Sequence, residues 1–255
     1  MSRVSVIALL LLASTFAFAH DLYLVPRGRQ VCAGIGETFP RSENAVTADR
    51  VEFFRLRQSG KEVPLAGKVA GSQFCASLPP AKAAIVEMAV QPRFIRLDAA
   101  KFEEYIHAEG FADVIKSRQQ ARREKSDGRE LYSRYSKLFL GAGGEPFTRP
   151  IGHVLELVPQ RDPASLHPGE SLSFLVLFKG KPLPGVRISA AYAGAAIKGH
   201  NFPVSADTSP EGKASLKLDR PGLWYVRLIH MTPAFNDPDI EWRSYFCTLT
   251  FTIGK

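Results

Sequence analysis

Short apolar or alternating runs punctuated by Gly, Pro and polar residues fill the first part of the chain. Asp21 to Val25, Val51 to Leu56 and Ala84 to Val90 are such runs, and they predict β structure over residues 20–97. From Asp98 the apolar period lengthens. Asp98 is placed to cap a helix whose apolar positions include Phe102, Tyr105 and Ile106, and Gly110 suits its end. A second, basic helix is predicted over Phe111 to Lys125. A third is predicted after Asp127-Gly128, carrying Leu131, Tyr135, Leu138 and Phe139, with Glu130 and Arg134 placed to pair at i, i+4. Gly141-Ala142-Gly143-Gly144 then breaks the pattern as a hinge or linker.

Beyond Gly152 the alternation returns. Val154 to Val158, Ser173 to Phe178, Val186 to Tyr192, Ser215 to Leu218, Trp224 to Met231 and Tyr245 to Ile253 read as six strands. Their number and spacing predict a β-sandwich with Greek-key links. The fold class expected is therefore mainly β: an N-terminal β domain (20–97), a three-helix insert ending in the glycine hinge (98–144), and a C-terminal β-sandwich (145–255).

The extreme N-terminus does not belong to that pattern. Arg3 supplies a positive charge, Val4 to Phe18 is almost wholly apolar, and Ala17-Phe18-Ala19 has the small-x-small form a signal peptidase needs. The apolar stretch falls short of the roughly 20 residues that span a bilayer. Residues 1–19 are expected to be a cleaved signal peptide, giving a soluble periplasmic protein that begins at His20. The 33 Lys and Arg against 25 Asp and Glu change the picture little. Apart from Arg118 to Lys125 the excess is spread out; that run reads as a solvated helix face, and nucleic acid is not an expected partner.

An oxidising compartment makes Cys32 and Cys75 candidates for a disulfide, since both lie in strand-like segments. Cys247 shares its strand parity with Tyr245, Leu249, Phe251 and Ile253, which predicts a buried free thiol.

His20 is the most informative residue for chemistry. Once it is N-terminal it carries an α-amine and an imidazole close enough to chelate one metal ion, and an α-amine titrating near 7.7–8.0 sheds its proton at modest cost. Such nitrogen donors suit Ni²⁺, Cu²⁺ and Zn²⁺. The opposing reading is a histidine that merely follows the cleavage site. His153, after Gly152, and His230, closing the run from Trp224, sit at strand ends where side chains can converge on a shared rim; a satisfied structural histidine is the alternative for each. His107, His167 and His200 read as exposed. No His-x-x-x-His spacing, nucleophile elbow or phosphate-cradling glycine loop occurs, and no catalytic residue is assigned. The stretch from Arg129 to Lys137, dense in polar and aromatic groups, suits either an anion or packing against a β domain. Trp224 and Trp242 read as packing.

Several ordered motifs bear a resemblance. They are His20-Asp21-Leu22-Tyr23-Leu24-x-Pro26, Phe102-x-x-Tyr105-x-x-x-Glu109-Gly110, Arg129-Glu130-x-Tyr132-x-Arg134-Tyr135-x-Lys137, Gly152-His153-x-Leu155-Glu156-x-Val158-Pro159-x-x-Asp162-Pro163, and Ser244-Tyr245-x-x-Thr248-Leu249-Thr250-Phe251. With these the chain resembles a family of bacterial periplasmic proteins of unknown domain function, described as accessory periplasmic components of nickel/cobalt transport systems. Gly180 to Val186, Asp207 to Gly212 and Pro221-Gly222-x-Trp224 also look like the transthyretin or carboxypeptidase-regulatory type of sandwich. The resemblance implies a periplasmic transition-metal-binding protein taking Ni, Co or Cu, with His20, His153 and His230 as ligands and a membrane metal transporter as partner. Two rivals stand beside it: a metal-free interaction module of the envelope, and a copper enzyme built on an amine-plus-imidazole brace.

Overall fold

The computed structural model describes residues 20–197, 200–235 and 237–254. The expected signal peptide, 1–19, lies outside the described residues. Among them no helix is long and apolar enough to cross a membrane.

The chain is mainly β, with two helices inserted between sheet regions. Its centre is an eight-stranded sheet that takes strands from both ends of the sequence. In chain order these are β3 (Val51–Gln58), β4 (Lys61–Pro64), β7 (Ala84–Leu97), β8 (Gly128–Leu140), β12 (Arg187–Tyr192), β13 (Val204–Asp207), β15 (Gly222–Pro233) and β16 (Trp242–Ile253). Their spatial order is β13-β12-β15-β16-β8-β7-β3-β4. β16 and β8 run parallel, and this pairing joins the N-terminal strands to the C-terminal ones.

One face of this sheet carries a four-stranded sheet made of β1 (Asp21–Arg27), β2 (Gln30–Gly36), β5 (Gly67–Ala70) and β6 (Gln73–Ser77), in the order β1-β2-β6-β5. Leu22, Leu24, Val31 and Phe74 from the small sheet pack there on Val86, Met88 and Leu138 from the large one. A bond between Cys32 and Cys75 staples β2 to β6, whose register sets the two residues directly opposite each other. The opposite face packs against β9 (Leu155–Pro159), β10 (Ser171–Phe178), β11 (Lys181–Pro182) and β14 (Lys213–Lys217). Leu155, Leu157, Phe174 and Val176 meet Trp224, Val226, Leu249 and Phe251 in that core, so the expected C-terminal sandwich is present. Side chains alternate across a strand, and β16 shows the consequence: Cys247, Leu249 and Phe251 enter the sandwich, while the Thr248 hydroxyl reaches the other way to the carbonyl of Leu22, 2.6 Å off. Cys247 is buried and free, and burial pushes its thiol up to about 12.

The first helix is where the pattern put it. α1 (Ala99–Ala108) is capped by Asp98, whose carboxylate accepts from the Lys101 amide, and it buries Phe102, Tyr105 and Ile106. α2 (Ala112–Gln120) is shorter than expected. Nor is the basic run wholly solvated: Arg118 is buried, held by Glu103 and by the carbonyls of Arg123 and Ser126.

The expected third helix does not exist. Residues 128–140 form β8, so the insert has two helices and not three. The reason is burial on both sides. Leu138 enters the core under the small sheet and Phe139 enters the sandwich. A strand buried on both faces loses its alternation, and its apolar positions then mimic a helical period. Glu130 and Arg134 consequently do not pair; four strand positions separate them by roughly 13 Å.

Candidate functional site

Along β8, Glu130, Tyr132 and Arg134 share the face on which the small sheet lies, since strand side chains alternate. Farther along the same face stand Ser136 and Leu138, already beneath the small sheet. One strand face therefore passes from apolar core to open polar floor. Cross-strand neighbours widen that floor: Ile95 and Trp242 oppose Glu130, Arg93 and Ser244 oppose Tyr132, and Val90 and Phe246 oppose Arg134. β7 shifts register between Val90 and Arg93, and a bulge of this kind bends a strand and re-aims its side chains.

The walls come from two places. The segment after β2 contributes Glu37, Glu43, Thr47, Asp49 and Arg50, and α1 contributes Tyr105. Together they enclose a cleft of about 1100 Å³, with His20 among the residues that line it.

The charges in the cleft are unevenly matched. Burial raises the Glu130 carboxyl, and the Ser244 hydrogen bond, the charge of Arg134 and the Tyr105 hydrogen bond only partly oppose it, leaving the group at about 7. The Tyr105 hydroxyl stands 3.5 Å from its Oε1. The Arg134 guanidinium lies 4.6 Å from the centre of the Tyr132 ring and 5.5 Å from that of Phe246. Its Nε is sealed from solvent without a hydrogen-bond acceptor, and no carboxylate of the described residues lies within 4.0 Å.

Next to His20 the backbone is firmly held. Asp21 and Glu109 both grip the buried Arg227: Nε to Asp21 at 2.8 Å and 3.0 Å, and two parallel bonds to Glu109 at 2.9 and 3.0 Å. Burial would raise Glu109, yet Arg227 and His200 bring it down to about 2. His200 Nδ1 is 3.1 Å from Glu109, so this histidine is a member of the buried network and not the exposed loop residue expected. β1, β15 and the end of α1 are thereby tied into one block.

The three histidines singled out by the sequence do not meet. His20 has Glu37 3.5 Å from Nε2 and Glu43 3.6 Å from Nδ1, on the small-sheet side. His153 is buried with Nε2 2.7 Å from Glu87, between Phe53 and Tyr135. His230 packs edge-on against Phe178 of β10, 4.7 Å between ring centres. The last two lie on the sandwich side, and the large sheet separates them from His20. Burial lowers both His153 and His230, in His153 against the pull of Glu87. Among the described residues no group of three or more His, Cys, Asp and Glu side chains is already arranged to hold a metal. Glu130 and Arg134 fall in the stretch that the sequence leaves open to an anion or to packing, and Tyr105 reads there only as a helix core position. The period-two run Glu130-x-Tyr132-x-Arg134 is the local signal that would put two of them in one row.

Residues 17–232 match a family described as a domain of unknown function (DUF4198). No curated protein matches the chain. Among solved structures, the D00-D0 domain of intimin matches with 14% identity over 91% of this chain and 96% of that one, at a TM-score of 0.19. The D0-D1 domain of intimin matches with 10% identity over 91% and 97%, at a TM-score of 0.21. Scores this low carry nothing about this chain.

Proposed function

We propose, for a chain that belongs to the DUF4198 family of unknown function, that it is an exported transition-metal-binding protein of the periplasm whose anchor is His20. The observation that supports this reading is the setting of His20 in the cleft lining, with a carboxylate beyond each ring nitrogen. Removal of residues 1–19 adds an α-amine to the same residue. Amine and imidazole Nδ1 then close a chelate, and Glu43, 3.6 Å from Nδ1, is placed to supply an oxygen donor, while Glu37 holds the other ring nitrogen. The two carboxylates belong to a closed loop: the Glu37 amide donates to Glu43, and the Glu43 and Asn44 amides both donate to the Ile35 carbonyl. Asp21, the next residue, is clamped by Arg227. The donor atoms are thus carried on fixed backbone.

Mixed nitrogen and oxygen donors suit the later first-row divalent ions, with Cu²⁺ intrinsically tightest and geometry and supply deciding between the others. Nickel or cobalt passed to a membrane transporter would be cargo, consistent with the family resemblance. His153 and His230 are given no part in this site.

Calorimetric titration of a chain beginning at His20 with Ni²⁺, Co²⁺, Cu²⁺ and Zn²⁺ tests the reading. Binding at micromolar Kd or tighter is expected, lost in His20→Ala and weakened by one added residue before His20. Absence of binding, or binding indifferent to both changes, overturns it.

A further inference from the structure

A guanidinium held against two aromatic rings, with a buried Nε that no acceptor meets, is an unusual thing to build into a cleft floor. Removing an arginine from water costs several kcal/mol unless an anion or a set of acceptors replaces the water. Elsewhere in this protein that replacement is made. Arg227 has Asp21 and Glu109, and Arg118 has Glu103 and two carbonyls, its Nη1 making no hydrogen bond but lying 3.5 Å from Glu241. Arg134 has the faces of Tyr132 and Phe246 instead, with the charges of Asp21 and Glu130 reaching it only from beyond ion-pair distance, so the rings orient the fork while no carboxylate of the described residues meets it.

We propose that Arg134 is the anchor of a subsite for a small organic monocarboxylate with an aromatic or branched apolar body. Three features choose that class. The planar fork suits bidentate carboxylate. Acidic side chains in the same cleft, Glu130, Glu37, Glu43 and Asp49, disfavour a dianion such as phosphate. The apolar body has surfaces to meet: Ile95 and Leu97 share with Arg93 the face of β7 that lines the cleft, beside the rings of Tyr132 and Phe246. A cleft of about 1100 Å³ is also ample for such a molecule, since small-molecule sites occupy roughly 300–1,000 Å³.

The subsite does not depend on metal at His20, and its test is arranged accordingly. The chain beginning at His20 is freed of metal on a chelating resin and followed by NMR while phenylacetate, phenylacetamide or inorganic phosphate is added. Phenylacetate is expected to give saturable shifts at Arg134, Tyr132 and Phe246. Phenylacetamide should bind at least fivefold more weakly, and phosphate should leave those residues unmoved. Arg134→Gln should lose at least tenfold in phenylacetate affinity while retaining the far-ultraviolet circular dichroism of the native chain. The acid-against-amide comparison on the native chain stands even if the variant fails to fold. No saturable shift, equal response to acid and amide, or tighter phosphate binding at Arg134 overturns the subsite, and leaves the metal reading to its own titration.

Discussion

Nε2 of His153 lies 2.7 Å from Oε2 of Glu87, a residue near the start of β7 whose other oxygen is held by Arg55 and Arg57. The pair joins the segment before β9 to the large sheet and occupies His153 in a structural bond. It also explains why a histidine that looks like a ligand in the sequence is none in the proposed site.

His153→Ala should therefore destabilise the fold by about 2 kcal/mol, because Glu87 loses one charged hydrogen bond and the Phe53–Tyr135 cleft loses its filler. His230→Phe, an apolar exchange against Phe178, should cost under about 1.5 kcal/mol. Neither should change the affinity for Ni²⁺ or Cu²⁺ of a chain beginning at His20. Chemical denaturation beside calorimetry checks both halves of this expectation.

Acid should weaken the same cluster in a defined window. Burial would raise Glu87, but hydrogen bonds with His153, Arg55 and Arg57 win and hold it at about 2, below its ordinary 4.5. A carboxyl lowered on folding stabilises above its unfolded value, and that contribution fades as pH falls from 4.5 toward 2. At pH 7 it amounts to about 3 kcal/mol. Urea denaturation of Glu87→Gln should show its largest deficit near neutrality, narrowing below pH 4.5.

Glu130 has the opposite sign. Its carboxyl stands at about 7 in the fold, raised from 4.5 by burial, so the folded chain holds a proton that the unfolded chain has released. The favourable state is complete below pH 4.5 and is lost as pH climbs through 7. Glu130→Gln, which keeps an oxygen for the Ser244 hydroxyl, should gain about 3 kcal/mol relative to the native chain at pH 8.5. The gain should shrink toward pH 5, as thermal unfolding at the two pH values would show.

Loss of the Cys32–Cys75 link should be felt throughout the small sheet. The bond closes a loop of 43 residues, which on chain-entropy grounds stabilises by about 4 kcal/mol. A double alanine variant should unfold at correspondingly lower denaturant. Because His20 precedes β1 and Glu37 and Glu43 follow β2, its metal affinity should fall as well, measured under conditions where it remains folded.

Much of the architecture was legible because its signals are local. The Asp98 cap, the apolar positions Phe102, Tyr105 and Ile106, and the alternation through Trp224–Met231 and Tyr245–Ile253 each depend on neighbours a few residues away. β8 was misread because its apolar residues serve two cores at once, Leu138 in one and Phe139 in the other. The cleft is hidden for the same reason: a helical period over residues 128–140 spreads Glu130, Tyr132 and Arg134 around an axis, and only a strand sets them in one row.

Residue order alone was enough for a mainly β chain with a helical insert, a C-terminal sandwich and a buried Cys247, since spacing and turn chemistry act over short range. Which histidines keep company was a different matter. His20 lies on one side of the large sheet and His153 and His230 on the other, a partition that comes from the parallel pairing of β8 with β16 and the seating of β1 across them. Those contacts join residues more than a hundred positions apart, and their geometry exists only once the layers have packed.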